Sequence, residues 1–341
     1  MKLLVVNAGS SSLKLAVFDK DLQQLAVARS ERIGTGGAAD HLEALQVGLA
    51  EMGVAVGDLA AAAHRVVHGG KAFVRPARIS EAVLAGIEAC LPLAPLHNPA
   101  NLMGIRALAS LRADLAQYAS FDTAFHTTMP EVAARYALPR AAEDLGLRRY
   151  GFHGISYASL VRKLRAQGAL PRRLLALHLG NGASLCAILD GQSVATTMGY
   201  SPLSGLTMGT RAGDIDGNAV LRLAEVHGVE GASRILNREA GLLGLGGASD
   251  LRALHAAGTD AAAFALEHFA YWAVRHAGSM VAAMGGLDGL AFTGGIGEND
   301  AWIRGRITAG LGFLGDVPVQ VVPAEEERQI AAEALSLIGN G

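Results

Sequence analysis

"VVNAGSSSLKLAVFD", residues 5–19, sets Gly9-Ser10-Ser11-Ser12 between two apolar runs, with Asn7 in front and Lys14 behind. The runs "LLVV" and "LKLAVFD" read as two strands joined by that turn. A hairpin needs only about two turn residues. The surplus hydroxyls and uncovered backbone N–H groups have the composition of a cradle for an anion.

Outward from this hairpin the chain alternates strand and helix patterns, which argues a mixed α/β architecture. "AAHRVVHGG" reads as a buried strand ending in a Gly pair, and "YASFDTAFH" as a strand entering a polar loop. Helical spacing covers 80–90 and 99–111, separated by the proline-broken "LPLAPLHNP". A helix over 153–167 opens at "FHGIS", and "RLLALHLGNGASLCAILDGQSVATT" predicts three strands with tight turns. Helical patterns follow at 216–227, 230–239 and 258–284. "LDGLAFTGGIGEN" predicts a strand, a Gly-rich loop and a helix; "VPVQVVP" a short strand; 325–338 a closing helix. "SSLKLAVFD" (11–19) resembles "ASLCAILDG" (183–191), and each follows a strand and a Gly/Asn/Ser turn. That pair suggests two related domains, although any two amphipathic hairpins share some likeness.

Composition narrows the class. The chain has 341 residues, 51% of them apolar, and a net charge of −2. That is enough for one large or two medium domains. The charge balance and the lack of a basic run argue against nucleic acid as the main partner. No window reaches ~18 apolar residues without a charge or a turn, so no membrane span is expected. The N-terminus lacks a signal-peptide layout, and Cys90 and Cys186 sit far apart in apolar contexts. Structural thiols in a reducing cytoplasm are the plain expectation.

Familiar nucleotide motifs fail. G-x-x-x-x-G-K-[ST] is absent, and so are the protein-kinase H-R-D and D-F-G. "GLGFLG" (310–315) follows a helical run rather than a strand, so it reads as a helix C-terminal turn. Three other Gly-rich turns each follow a strand: "NAGSSS" (7–12), "HLGNGAS" (178–184) and "GGIGEN" (294–299). Each alone is an ordinary turn; three together point to phosphate. His64 and His68 are four apart on a strand, roughly 13 Å, too far to share an ion. Without Cys pairs or H-E-x-x-H, zinc is not expected.

Arg65, Asp122, His153 and Arg211 interrupt apolar or Gly-rich surroundings. A buried charge costs several kcal/mol unless paired or employed. Each could be half of a buried ion pair. Two arginines, a histidine and an aspartate together would also suit phosphoryl transfer, which gathers negative charge and uses a carboxylate to hold Mg²⁺.

The stretches "VNAGSSSLK", "HRVVHGG", "LAPLHNP", "FDTAFH", "YGFHG", "HLGNG", "SPLSGLTMGTRAGDID" and "FTGGIGEN" resemble, in order and over nearly the whole chain, the acetate/propionate kinase family. The resemblance implies an α/β fold of two duplicated ribonuclease-H-like domains, as in actin-like ATPases and sugar kinases, facing across a cleft. The domains would be 1–149 plus 325–341, and 150–324, the latter carrying the nucleotide site. It further implies reversible transfer of the γ-phosphoryl of ATP to acetate or another short carboxylate, giving an acyl phosphate and ADP. Arg65 and Arg211 would bind the carboxylate and the moving phosphoryl group, and His153 its equatorial oxygens. Asp122 matches an essential aspartate often described as a proton acceptor. A carboxylate nucleophile of pKa ~4–5 is already ionised, so holding Mg²⁺ or its waters suits Asp122 better.

Asn7 and Glu326 match the magnesium positions, and Mn²⁺ could replace Mg²⁺. Ser10, Ser12 and Lys14, with the turn His178, Leu179, Gly180, Asn181 and Gly182, would contact ATP phosphates. Asp250, Leu251, Arg252 and the run Gly295, Ile296, Gly297, Glu298, Asn299 would hold adenosine. The acyl tail would sit among Val67, Leu96, Phe152 and Pro202, for each of which plain core packing is the alternative. Domain closure would exclude water, and a homodimer is implied.

The chain departs from the family at "PAEEE" (323–327), where Glu325 or Glu327 could take the place of Glu326. Leu251 stands where the family has an aromatic, and Gly217 where it usually has Pro. Propionate or butyrate kinase, or a catalytically weak binding homologue, remain the alternatives.

Overall fold

A computed structural model describes residues 1–142 and 144–339. The chain forms two compact units: Met1–Thr127 with Gly154–Ser159 and Glu325–Gly341, and Thr128–His153 with Leu160–Ala324.

The first unit is built on a six-stranded sheet: β1 (Lys2–Ala8), β2 (Ser12–Phe18), β3 (Gln24–Glu31), β4 (Leu59–Val66), β5 (Ala77–Arg78) and β6 (Gln117–Phe121), in the order β3-β2-β1-β4-β6-β5. β1, β2 and β3 form an antiparallel meander, and β4 and β6 then add in parallel on the free side of β1. β1 reads as a continuous apolar run because both of its faces are covered. Leu4 and Val6 pack with Leu15, Val17 and the helix His41–Glu51. Leu3 and Val5 face Ala16, Ala61, Ala63 and the closing helix Glu326–Ile338 through Ile330, Ala331 and Ala334.

The second unit repeats the scheme with β7 (Arg173–Leu179), β8 (Ala183–Leu189), β9 (Gln192–Thr196), β10 (Gly289–Thr293) and β11 (Val319–Val321), in the order β11-β10-β7-β8-β9. Again three antiparallel strands are followed by parallel strands on the free side of the first. The two similar nine-residue segments lie on β2 and β8, the second strand of each meander. The likeness therefore reflects duplication.

Several elements differ from the sequence expectation. Residues 294–299 were expected as a loop and are helical, Gly294–Asn299. Gly294 makes the corner at φ +79°, where a Cβ would stand 2.7 Å from Leu179 O. The two helical patterns after 216 form a run Gly217–Arg234, interrupted at Gly228 (φ 72°, ψ 166°), and a wider turn Ile235–Glu239. β3, β5 and the helices His41–Glu51, Gly241–Gly246 and Leu251–Ala257 carry patterns too short or too exposed to announce themselves. "GLGFLG" ends the helix Ala301–Gly310, as its context indicates.

Candidate active site

In the first unit three neighbouring parallel strands deliver polar residues at their carboxyl ends, the edge where open α/β sheets place ligands. The register aligns Val6 with His64 and Val66 with Phe121. Asn7, Arg65 and Asp122 thus emerge side by side. The Arg65 guanidinium grips Asp122, with Nη2 2.7 Å and Nε 3.1 Å from Oδ2. Its Nη1 donates to Asn7 Oδ1 at 3.4 Å and lies 4.0 Å from Glu326 Oε2. Burial pushes the Asp122 carboxyl up, against the pull of Arg65. Burial acts to lower Arg65, but Asp122, Glu326 and Glu327 outweigh it and hold the guanidinium charged.

The turn below is closed by Gly9 N–H donating to Ser12 O at 2.8 Å, with Ser10 exposed. A Cβ on Gly9 would stand 2.7 Å from Ser12 Oγ, so the glycine lets that hydroxyl approach the turn. Lys14 Nζ sits 2.7 Å from Glu327 Oε2. Burial raises Glu327, but Lys14 outweighs it and leaves the carboxyl below its ordinary value. Glu325 pairs with Arg328 at 3.4 Å. The three glutamates of "PAEEE" thus diverge: Glu326 towards Arg65, Glu327 towards Lys14, Glu325 to its own helix. Asn101, silent in the sequence, ties the scaffold: its amide donates to Ala8 O and accepts from Val67 N–H, at 2.8 and 3.0 Å.

Asp122, Glu326 and Glu327 outnumber the cations Arg65 and Lys14 beside them. Among the described residues no group of three His, Cys, Asp or Glu closes into a metal cage of its own. One amide oxygen with one or two carboxylates is the donor set of a hard ion that keeps waters and shares phosphate oxygens. Asn7, Glu326 and Asp122 fit Mg²⁺ on that chemistry.

In the second unit His153 stands at φ 59°, immediately before the helix Gly154–Ala166. Its Nδ1 lies 2.8 Å from Ser184 Oγ, and its ring stacks on His178 with centroids 4.1 Å apart. Arg211 Nη1 donates to Pro202 O at 2.6 Å. Burial lowers the Arg211 guanidinium, and among the described residues no carboxylate pairs with it. A partly buried cation without a counter-charge is prepared for an anion. A Cβ on Gly182 would stand 3.2 Å from both Arg211 Nη2 and His153 Nε2. The glycine therefore leaves a space that both groups face.

The other expected nucleotide residues cluster nearby. Gly209 N–H donates to Asn181 O, and a Cβ on Gly209 would stand 3.0 Å from Ser249 O. Asp250 caps the helix Leu251–Ala257, accepting from Arg252 and Ala253 N–H, and pairs with the Arg252 side chain. Leu251 is buried, so at this position the chain offers a packed aliphatic instead of an open ring. Gly294 brings the helix carrying Gly295, Ile296, Gly297, Glu298 and Asn299 against Leu179, next to Gly180. Glu298 accepts from Ala324 N–H at 2.9 Å, and Asn299 donates to Gly295 O. Of the expected acyl wall, Val67 and Phe152 are buried and Leu96 is 45% exposed. Ser184, the last residue of the run "HLGNGAS" (178–184), was placed with that turn in the sequence; its contact with His153 was not foreseen.

The acetokinase family profile matches residues 2–332. The chain is 41% identical to an acetate kinase of Streptomyces avermitilis, covering 99% of this chain and 98% of that one. It is 42% identical to an acetate kinase of Ectopseudomonas mendocina, covering 98% of each. A crystal structure of Porphyromonas gingivalis acetate kinase superposes with a TM-score of 0.91 at 34% identity, covering 99% of each chain. A propionate kinase structure from Francisella tularensis does so with 0.91 at 35%, covering 97% and 98%. A Streptomyces griseus ROK family glucokinase, 16% identical with a TM-score of 0.50, shares the fold.

Proposed function

The chain belongs to the acetokinase family, and from that membership we propose that it transfers the γ-phosphoryl group of ATP directly to acetate, reversibly. The observation that carries this is the space at Gly182, faced by an arginine without a counter-charge and by a histidine nitrogen.

An acetate oxygen attacks the γ-phosphorus in line. The bond from phosphorus to the β–γ bridging oxygen breaks, and ADP leaves with that electron pair. The nucleophile is already ionised near neutral pH, so no base is needed. Catalysis reduces to placement and to cations where charge spreads over the equatorial oxygens. Arg211 and His153 Nε2 supply these in the second unit, and Arg65 in the first. Asp122 then orients Arg65 and helps to hold the ion, and proton removal is not its task. Asn7, Glu326 and Asp122 would hold Mg²⁺ or Mn²⁺; when bound, the ion neutralises phosphate charge. Lys14, Ser10, Ser12 and residues 178–182 would carry the phosphates, 250–252 and 295–299 the adenosine, and Val67, Leu96, Phe152 and Pro202 the methyl group.

Two further assignments belong to this proposal. Cys90 and Cys186, both buried and in the thiol form, support a reducing cytoplasm. Phe264 and Tyr271, exposed on the helix Asp260–Met284, support a homodimer that would cover them.

Hydroxylamine trapping with ATP, Mg²⁺ and a panel from formate to butyrate tests the assignment. Acetohydroxamate is expected to form fastest. A faster propionate or butyrate reaction would reassign the acid, since one methylene is worth ~1–3 kcal/mol. No hydroxamate with any acid would leave a binding homologue.

A further inference from the structure

We propose that Ser184 is a positioning residue for this transfer: its hydroxyl donates to Nδ1 of His153 and holds the ring as a neutral donor whose Nε2–H meets the moving phosphoryl group. The consequence for turnover rests on the function proposed above; the state of the ring does not.

Ser184 is wholly buried on β8, and the β7–β8 register pairs it with His178. The His153 ring rests on both partners of that pair. The 2.8 Å contact from Ser184 Oγ to Nδ1 fixes rotation of the ring in its plane. The stack on His178, 24° from parallel, fixes its tilt. The backbone contributes too. His153 takes a left-handed conformation, φ 59° and ψ 20°, which costs a non-glycine residue on the order of 1 kcal/mol and is kept where the surroundings dictate it. The result is a single heading for Nε2, towards the point that Arg211 Nη2 also faces.

Charge decides the tautomer. The ring shares its target space with the Arg211 guanidinium, so a further positive charge on it is opposed. A neutral imidazole carries one N–H and one lone pair. If Nδ1 held the proton, Nε2 would present its lone pair to phosphoryl oxygens and repel them. A hydroxyl proton donated to Nδ1 puts the ring N–H on Nε2, where an equatorial oxygen can accept it.

Long-range ¹H–¹⁵N correlation spectra of the full chain, labelled at histidine, read this directly. The His153 signals are identified by their loss in His153→Gln. Near neutral pH the wild type is expected to show pyridine-like Nδ1 and pyrrole-like Nε2. A proton on Nδ1, or an imidazolium, would overturn the assignment, whatever the enzyme's activity. Ser184→Ala is expected to mix the tautomers and to lower kcat by ~10–100-fold, the range seen when the partner orienting a histidine is removed. KM for ATP should stay within about twofold, and Ser184→Thr should recover most of the lost kcat. Wild-type kcat in Ser184→Ala would refute the positioning role. A wild type that makes no acyl phosphate would defeat the functional proposal and leave the tautomer to the spectra.

Discussion

At the residue scale, the chemistry hangs on two arginines in opposite circumstances. Arg65 is gripped by Asp122 at 2.7 Å, whereas Arg211 meets a carbonyl. On the proposed mechanism, removing Arg211 takes a cation from the moving phosphoryl group. Steady-state kinetics of Arg211→Ala should show kcat lower by roughly 10³-fold, with KM for ATP little changed. Near-normal kcat would deny it that place. Asp122→Asn should lose turnover at every pH if, as proposed, it removes no proton; recovery on raising pH would restore a base. A third residue, His64, is buried beside Gln117 and pushed down to about 4 by that burial. The folded protein keeps it neutral where an unfolded chain, titrating near the ordinary 6.5, takes up a proton. The unfolded state therefore binds more protons between those values. The stability this contributes is complete above about pH 6.5 and is lost as pH falls towards 4, by ~3 kcal/mol. His268 and His276, also lowered chiefly by burial, steepen the same limb. Urea denaturation across that window should be flatter for His64→Gln than for the wild type. Equal slopes would show that His64 charges freely in the fold.

At the element scale, the decisive pieces are turns between strands. The Gly9–Ser12 and Gly180–Gly182 turns occupy equivalent places, each after the first strand of a meander. Gly182→Ala puts a methyl 3.2 Å from Arg211 and His153, in space the phosphoryl group would use. Its melting temperature should stay within a few degrees, as for a change on the order of 0.5 kcal/mol, while kcat falls. Unaltered kcat would mean that the space is not used. These turns were legible because a surplus of Gly, Ser and Asn after an apolar strand has few other purposes. Arg65, Asp122, His153 and Arg211 were legible because charge in an apolar run demands a reason. Asn101 was not, because a single small polar residue looks the same whether it ties a scaffold or fills a core, and Ser184 was legible as part of the 178–184 turn but not as a partner of His153. The divergence of Glu325, Glu326 and Glu327 was also hidden: it depends on the start of the helix Glu326–Ile338, which composition alone does not fix. The run "GGIGEN" misled in the other direction, since its glycines suggest a loop and tertiary packing against Leu179 makes a helix of it.

At the scale of the whole molecule, the fold is one scheme used twice, a meander of three strands extended in parallel from its first strand. The repeat was faint in sequence because similar side chains are confined to the first two strands of each meander, KLLVV (2–6) with RLLAL (173–177) and β2 with β8. The topology is carried by short apolar runs buried on both faces, which many sequences satisfy. Duplication gives each unit a Gly-rich turn after the first strand of its meander, and the proposed reaction assigns both turns to phosphate. The most direct test is to follow the label from [γ-³²P]ATP in the presence of acetate and Mg²⁺, with products separated without hydroxylamine. Label is expected to pass into acetyl phosphate in step with ADP formation, and to return to ATP when excess ADP is added. Label that stays in ATP, or is released only as inorganic phosphate at the same rate with and without acetate, would contradict phosphoryl transfer to the carboxylate.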